Sequence, residues 1–202
     1  MSSIKAYPRM LFYLVGAMLL LGVLAVVVVS WANSSLSQLP VWGEVPEFEF
    51  VAASSGEPFG LEQMKGKVNI VDFIFTNCRG ACPVMAVGFS ELYTLYAGSD
   101  KVRFVSITVD PNRDSLEVLR AYAAEQGVYD DRWVFLRGPI EQVTDLCENG
   151  FMLPADGLPM GHTTKFIVVD HLGQIRSYHE GLEEASRPVI THNVKQLVRE
   201  LP

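Results

Sequence analysis

The most constraining feature of this sequence is an apolar run at residues 68–75 that ends just before two cysteines, Cys78 and Cys82. The run is rich in branched and aromatic side chains, as expected for a central strand that is covered on both faces. A helical pattern begins near Gly80, which would bring both sulfurs to one face, close to the helix N-terminus. Free backbone N–H groups at that end favour thiolate, the form that acts as nucleophile and as metal ligand. The two cysteines are therefore predicted either to form a disulfide or to bind a soft metal.

A second apolar stretch lies near the start of the chain. Residues 10–29 contain no charged side chain and are numerous enough to cross a bilayer as a helix. Lys5 and Arg9 precede this stretch, and the next charged residue is Glu44. The positive-inside rule therefore predicts that the N-terminus is cytoplasmic and that the rest of the chain is exported, with Trp31 at the far interface.

This stretch sets the predicted domain organisation. A cytoplasmic N-terminus at residues 1–9 precedes a transmembrane anchor at 10–31, a linker at 32–46 and a folded domain at 47–202 on the outer, periplasmic-type side of the membrane. A cleaved signal peptide is the alternative, because Ser30-Trp31-Ala32 resembles a cleavage site. Its apolar core would be longer than the usual h-region of about 7–15 residues, which favours a retained anchor.

Charge and cysteine content exclude two classes of protein. The chain has 16 basic and 23 acidic side chains, and the first 31 residues hold two of the basic ones and no acidic one. The exported part therefore carries 14 basic and 23 acidic side chains, a net charge of −9, which disfavours nucleic acid as a partner. Three cysteines are an odd number in an exported chain, so a purely structural disulfide framework is not predicted.

The remaining patterns predict a mixed α/β domain. Residues 47–53 alternate apolar and polar before a turn, which predicts an N-terminal hairpin. Further strands are predicted at 68–75, 102–109, 133–136, 164–169 and 174–178, with helices from about residues 80, 114, 139 and 186. This order predicts a thioredoxin-like α/β sandwich whose sheet is parallel in one half and antiparallel in the other.

Histidine supplies a third candidate ligand. The chain contains His162, His171, His179 and His192. His162 lies in a loop that leads into the strand at 164–169, and in a thioredoxin-like fold this loop packs beside the cysteine turn. The other three histidines are predicted to be solvated or locally hydrogen-bonded. Two thiolates and one imidazole suit copper, because sulfur stabilises Cu(I) and imidazole allows Cu(II) to bind as well. A structural zinc site needs a fourth ligand, for which no residue stands at a suitable spacing.

Four other residues have a predicted role. Asp72 lies in the apolar strand, six residues before Cys78. As a buried acid it would have a raised pKa and could shuttle a proton during thiol–disulfide exchange; as a strand-edge residue it would reach water, and both interpretations stay open. Asp114, three residues before a glutamate, is predicted as a helix N-cap. Cys147 is predicted to be a free buried thiol, and Met160 is a candidate neighbour of the cysteine site.

Four segments, taken in this order, form a specific pattern. They read Phe-Thr-Asn-Cys-Arg-Gly-Ala-Cys-Pro at 75–83, Val-Asp-Pro-Asn-Arg-Asp at 109–114, Trp-Val-Phe-Leu at 133–136 and His-Thr-Thr-Lys-Phe-Ile-Val-Val-Asp at 162–170. The chain thereby resembles the Sco/SenC family of membrane-anchored, thioredoxin-like copper proteins over about residues 43–201. One departure is that many members carry Cys-Pro-Asp-x-Cys, where this chain has Arg79 and Gly80.

The resemblance implies that Cys78, Cys82 and His162 bind one copper ion. It also implies a role in maturing the binuclear copper site of cytochrome c oxidase, whose copper-site subunit would be the partner. The alternative function is a thiol–disulfide oxidoreductase that acts on an exported or membrane partner, with Cys78 and Cys82 as the redox pair and Asp72 as proton shuttle. Loss of His162 would impair copper binding much more than thiol exchange. A peroxidase-like role is a weaker third alternative, because the second cysteine would compete for the oxidised intermediate.

Overall fold

The computed structural model describes residues 7–36 and 39–202, with side chains described for 10–30 and 39–202. The chain divides into two compact units, Met1–Leu39 and Pro40–Pro202. Three side chains used to predict the membrane orientation, those of Lys5, Arg9 and Trp31, lie outside the described residues. Residues 1–6 of the predicted cytoplasmic segment and 37–38 of the predicted linker lie outside them as well.

The first unit contains one long helix, α1 (Tyr7–Leu36). Within it, the 21 residues Met10–Ser30 have a mean hydropathy of 2.8. A helix of this length extends about 30 Å, which equals the hydrocarbon thickness of a typical bilayer. The segment is therefore long and apolar enough to cross a membrane, a property that signal sequences can share.

The second unit contains one mixed β-sheet and five helices. The strands are β1 (Gly43–Glu44), β2 (Glu49–Ala52), β3 (Pro58–Gly60), β4 (Val68–Ile74), β5 (Val102–Thr108), β6 (Trp133–Arg137), β7 (Lys165–Val169) and β8 (Gln174–Glu180). The helices are α2 (Leu61–Met64), α3 (Ala81–Leu95), α4 (Leu116–Glu125), α5 (Ile140–Asp145), which continues into a π-helical turn (Leu146–Gly150), and α6 (Ser186–Glu200). The strand order is β1-β8-β7-β4-β5-β6-β2-β3.

The sheet has the two halves that the sequence predicts. Strands β4, β5 and β6 pair in parallel with one another. The pairs on one side of them, through β7, β8 and β1, are antiparallel. The pairs on the other side, through β2 and β3, are antiparallel as well. The thioredoxin-like fold and its N-terminal hairpin, β2–β3, are confirmed. Strand β1 lies within the residues predicted as a linker and pairs with β8.

Strand β4 places the cysteine loop. All seven of its residues are buried, and it lies between the parallel strand β5 and the antiparallel strand β7. The carboxyl ends of β4, β5 and β6 meet at the same edge of the sheet, and each is followed by a helix or loop that starts there. The segment between β4 and α3, which carries Cys78, therefore opens at the edge where α/β folds commonly bind ligands.

One predicted helix boundary is wrong by one residue. The N-cap of α4 is Ser115, whose Oγ accepts a hydrogen bond from the Val118 N–H at 3.3 Å, and not Asp114. Asp114 is buried instead and accepts hydrogen bonds from two threonines, Thr76 and Thr108. Aspartate and serine are both favoured N-caps, so the sequence alone does not choose between neighbours.

Cys147 lies in the π-helical turn and has 2% of its surface exposed. Burial raises the pKa of its thiol to about 12. The prediction of a free buried thiol is therefore confirmed.

Candidate metal centre

Three side chains from distant parts of the sequence meet at the cysteine loop: Cys78, Cys82 and His162. Their ligand atoms all lie within 4.8 Å of one another, and Cys82 Sγ is 3.2 Å from His162 Nε2. Donors bound to one ion at about 2.0–2.3 Å would lie roughly 3.5–4 Å apart, so small side-chain rotations suffice to enclose a metal. Across residues 10–30 and 39–202, whose side chains are described, no second cluster of three such ligands has this spacing.

The start of α3 positions the two cysteines differently. Cys78 lies in the turn after β4, where its N–H donates to the carbonyl of Phe75 at 3.3 Å. Helix α3 begins at Ala81 with Gly80 as its N-cap, so Cys82 is the second helical residue. Cys82 is buried, whereas Cys78 is half-buried. One sulfur is thus open to solvent and to a partner, and the other faces the protein interior.

This difference separates the acidities of the two thiols. Partial burial opposes ionisation of Cys78, but hydrogen bonds from Cys82 and from the backbone at Gly80 and Ala81 outweigh it and lower the pKa of Cys78. Burial, followed by the neighbouring Cys78, raises the pKa of Cys82 to about 12. In the metal-free protein Cys78 is therefore the reactive sulfur.

Alkylation should reveal this asymmetry. At neutral pH, iodoacetamide is expected to modify Cys78 at least about tenfold faster than Cys82 or Cys147, because the reaction requires an accessible thiolate. The rate at Cys78 should rise with pH to a plateau, with its midpoint below 9.0, the ordinary thiol value. Peptide mapping by mass spectrometry during a time course measures all three sites, and faster labelling of Cys82 would contradict this description.

The imidazole of His162 presents its free nitrogen to the cysteines. Its Nδ1 lies 2.9 Å from the carbonyl oxygen of Thr163. A carbonyl only accepts hydrogen bonds, so Nδ1 carries the proton and Nε2 keeps the lone pair that binds a metal. Burial lowers the pKa of His162 and favours this neutral form. The ring of Phe75 packs at 87° to the imidazole, with centroids 5.4 Å apart, and restricts its orientation.

Asp72 lies beneath this site as a buried acid. It is 1% exposed, so the interpretation as a strand-edge residue in water is wrong. Ser106 Oγ donates to its carboxyl group at 2.5 Å and itself accepts the indole N–H of Trp133 at 2.9 Å. Desolvation raises the pKa of Asp72 to about 7, despite the opposing hydrogen bond from Ser106. The charge of Asp72 also contributes to the raised pKa of Cys82, so the two groups interact electrostatically.

The other candidates are not part of the three-residue group. His179 Nε2 lies 2.8 Å from Ser177 Oγ, which agrees with the predicted local hydrogen bond, and His192 is exposed on α6. Met160, two residues before His162, is 79% exposed and belongs to the surface of the same loop.

Comparison with known proteins agrees with the fold. The SCO1/SenC family profile matches residues 43–199. The chain belongs to the SCO1/SenC family. A SCO1 protein homolog of Bacillus subtilis is 31% identical over 162 residues, which cover 77% of this chain and 83% of the relative. A putative copper-binding protein of Stutzerimonas stutzeri is 30% identical over 129 residues, 63% of this chain and 58% of that protein.

A solved structure of the SCO1/SenC family has the same architecture. BsSco, described as a member of the Sco family of cytochrome c oxidase assembly proteins and as containing a disulfide switch, superposes with a TM-score of 0.71. It is 30% identical, and the match covers 80% of this chain and 98% of BsSco. The long helix α1 precedes the part of the chain that matches the family profile.

Sequence reasoning missed the contacts that surround the site. Thr76 and Asp114 form a hydrogen-bonded clamp between the cysteine loop and the start of α4, and Phe75 packs on His162. Each lies inside a segment that carries the family resemblance. Their roles depend on side-chain directions in three dimensions, and periodicity does not give those directions.

Proposed function

We propose that this SCO1/SenC protein is a copper-binding assembly factor for the binuclear copper site of cytochrome c oxidase. Cys78 and Cys82 supply two thiolates and His162 supplies Nε2. The observation that carries this proposal is the approach of all three ligand atoms to within 4.8 Å of one another, with the histidine tautomer already suitable for metal binding.

Copper is the metal that this donor set suits. Thiolate sulfur is a soft ligand and stabilises Cu(I) with few ligands, while an imidazole nitrogen adds affinity for Cu(II). Structural zinc takes four protein ligands in a tetrahedral arrangement, one more than this group offers. The description of the Stutzerimonas relative as copper-binding supports the same choice.

The oxidase role draws its support from the family. BsSco, with the same fold and 30% identity, is described as one of the cytochrome c oxidase assembly proteins. We therefore propose the copper-site subunit of the oxidase as the partner. In this proposal residues 1–9 are cytoplasmic and residues 10–31 anchor the protein in the membrane. Residues 32–46 link the anchor to the domain at 47–202, which meets its partner on the outer, periplasmic-type side of the membrane.

Copper stoichiometry tests the ligand assignment. Reduced, metal-free protein is expected to bind one copper ion per chain, and Cys78→Ser or Cys82→Ser should abolish tight binding because too few soft ligands remain. Cys147→Ala is the matched control: it also removes one thiol, but one that is buried elsewhere in the core. Tight one-to-one binding by the Cys78→Ser, Cys82→Ser double variant would overturn the assignment.

A test in cells addresses the oxidase role separately. Deletion of the gene is expected to lower cytochrome c oxidase activity, and wild-type protein but not Cys82→Ser should restore it. Normal oxidase copper content in the deleted strain would contradict the proposed role. Copper binding by the protein would still be decided by the stoichiometry test.

The second candidate function is thiol–disulfide exchange, favoured by the reactive Cys78 and by the disulfide switch described for BsSco. Cys78 thiolate would attack a partner disulfide and form a mixed disulfide, and Cys82 would then displace the partner thiol. The partner gains two electrons and the Cys78–Cys82 pair becomes a disulfide. Asp72, with its raised pKa, is proposed to take the proton that Cys82 loses.

The histidine separates the two functions. His162→Ala is expected to reduce copper affinity strongly but to leave the rate at which Cys78 attacks a disulfide within a few-fold of wild type, because the imidazole contacts Cys82, whereas the attacking sulfur is that of Cys78. Reduction of a model disulfide by both proteins, followed by a thiol count, measures this rate. If His162→Ala lost both disulfide reduction and copper affinity, the assignment of His162 as a metal ligand only would be wrong.

A further inference from the structure

The buried carboxyl group of Asp114 is connected to the cysteine loop. It is 1% exposed and lies just before α4, more than thirty residues after the cysteines. One carboxyl oxygen accepts the Thr76 hydroxyl at 2.6 Å. The other accepts the Thr76 backbone N–H at 3.1 Å and the Thr108 hydroxyl at 2.5 Å. Thr108 Oγ1 in turn accepts the Asp110 N–H at 3.1 Å, so its own hydrogen is directed to Asp114.

Thr76 directly follows Phe75, which contacts both the cysteine loop and His162. The preceding residue, Phe75, accepts the Cys78 N–H through its carbonyl oxygen and packs its ring against His162. The backbone of Phe75 also hydrogen-bonds Cys82. A group that fixes Thr76 therefore fixes the backbone from which all three candidate ligands are positioned.

We infer that Asp114 is a positioning residue: through Thr76 it holds the loop so that the two sulfurs and the imidazole start close together. This inference adds a positioning residue to the proposed function. The copper-binding part of its test rests on that proposed function. Preorganisation matters because a flexible loop would have to be ordered by each binding event, at a cost in affinity. The same argument applies to closing the Cys78–Cys82 disulfide, which requires no metal.

The clamp acts through hydrogen-bond geometry and does not require the negative charge. In Asp114→Asn, the amide oxygen can accept the Thr76 N–H and the Thr108 hydroxyl, and the amide NH2 can donate to Thr76 Oγ1 after that hydroxyl rotates. This conservative variant should therefore restore what Asp114→Ala loses. Thr76→Val removes a single hydrogen bond on a half-buried side chain, so it remains informative if Asp114→Ala fails to fold.

The experiment compares Asp114→Ala, Asp114→Asn and Thr76→Val with Ser115→Ala in the full chain. Ser115→Ala is the matched control, because it removes the adjacent N-cap and lowers the melting temperature without touching Thr76. Asp114→Ala and Thr76→Val are expected to raise the copper dissociation constant by about tenfold, as is typical when an outer-shell partner is lost. Asp114→Asn and Ser115→Ala should stay within about threefold of wild type.

A metal-free measurement makes the inference independent of copper. The equilibrium constant for forming the Cys78–Cys82 disulfide against glutathione should fall severalfold in Asp114→Ala and Thr76→Val, and not in Asp114→Asn or Ser115→Ala. If wild-type protein binds no copper, the proposed function fails and this constant still decides the positioning role. Unchanged constants in Thr76→Val and Asp114→Ala, or an Asp114→Asn variant that behaves like Asp114→Ala, would overturn the inference.

Discussion

Replacing His162 with alanine is expected to weaken Cu(II) binding by at least about a hundredfold, since even loss of an outer-shell partner costs roughly 10–100-fold in metal affinity. Cu(I) binding should weaken less, because the two thiolates of Cys78 and Cys82 remain and soft sulfur alone can hold Cu(I). The expected result is thus a change in the preference between oxidation states and not a uniform loss. Competition titrations with chelators selective for each state measure both constants.

His192→Ala is the control for this substitution. It removes an imidazole that is exposed on α6, so the histidine content changes in the same way without altering the site. Both copper affinities should match wild type. A Cu(II) affinity that does not change in His162→Ala would mean that the imidazole is not a ligand of the ion. Equal losses of Cu(I) and Cu(II) binding would contradict the predicted change in preference between oxidation states.

Asp72→Asn is expected to change how stability depends on pH. The folded protein holds the pKa of Asp72 at about 7, above the ordinary 3.8, so between these values the folded state binds more protons than the unfolded state. Stability therefore falls as pH rises from about 4 to about 7, by roughly 4 kcal/mol for this group alone, and asparagine removes the effect. Urea unfolding of both proteins between pH 4 and 8 measures the difference, which should grow in favour of Asp72→Asn as pH increases.

Ser106→Ala provides a companion to this experiment. The Ser106 hydroxyl donates to Asp72 and lowers its pKa, so its removal should extend the loss of stability to higher pH, with the onset near pH 4 unchanged. Parallel stability curves for wild type and Asp72→Asn across this range would show that Asp72 does not titrate as a buried acid, and its proposed role as a proton acceptor would fail with it.

Local patterns in the sequence were sufficient to predict the fold. The continuous apolar run of β4 indicated a central strand because both faces of that strand are covered. The alternation of strands and helices, followed by the β7–β8 hairpin, indicated the parallel and antiparallel halves of the sheet. The N-cap of α4 was misplaced because Asp114 and Ser115 are chemically similar at that boundary, and only burial separates their roles.

The candidate site was predicted in part, for a physical reason. Cys78 and Cys82 are close in sequence, so helical geometry alone brings them together. The approach of His162 required the fold, and the clamp between Asp114 and Thr76 joins residues 38 apart through side-chain contacts that have no periodic signal. The burial of Asp72 could not be decided beforehand, because the direction of a strand residue depends on how the sheet is covered.

X-ray absorption at the copper edge of the loaded protein tests the central claim most directly, because it counts the atoms bonded to the ion. The predicted result for wild type is two sulfur neighbours and at least one imidazole nitrogen, with the imidazole signal lost and both sulfurs kept in His162→Ala. A copper ion surrounded only by nitrogen and oxygen, or an unchanged spectrum in His162→Ala, would contradict the assignment of these three side chains as the copper site.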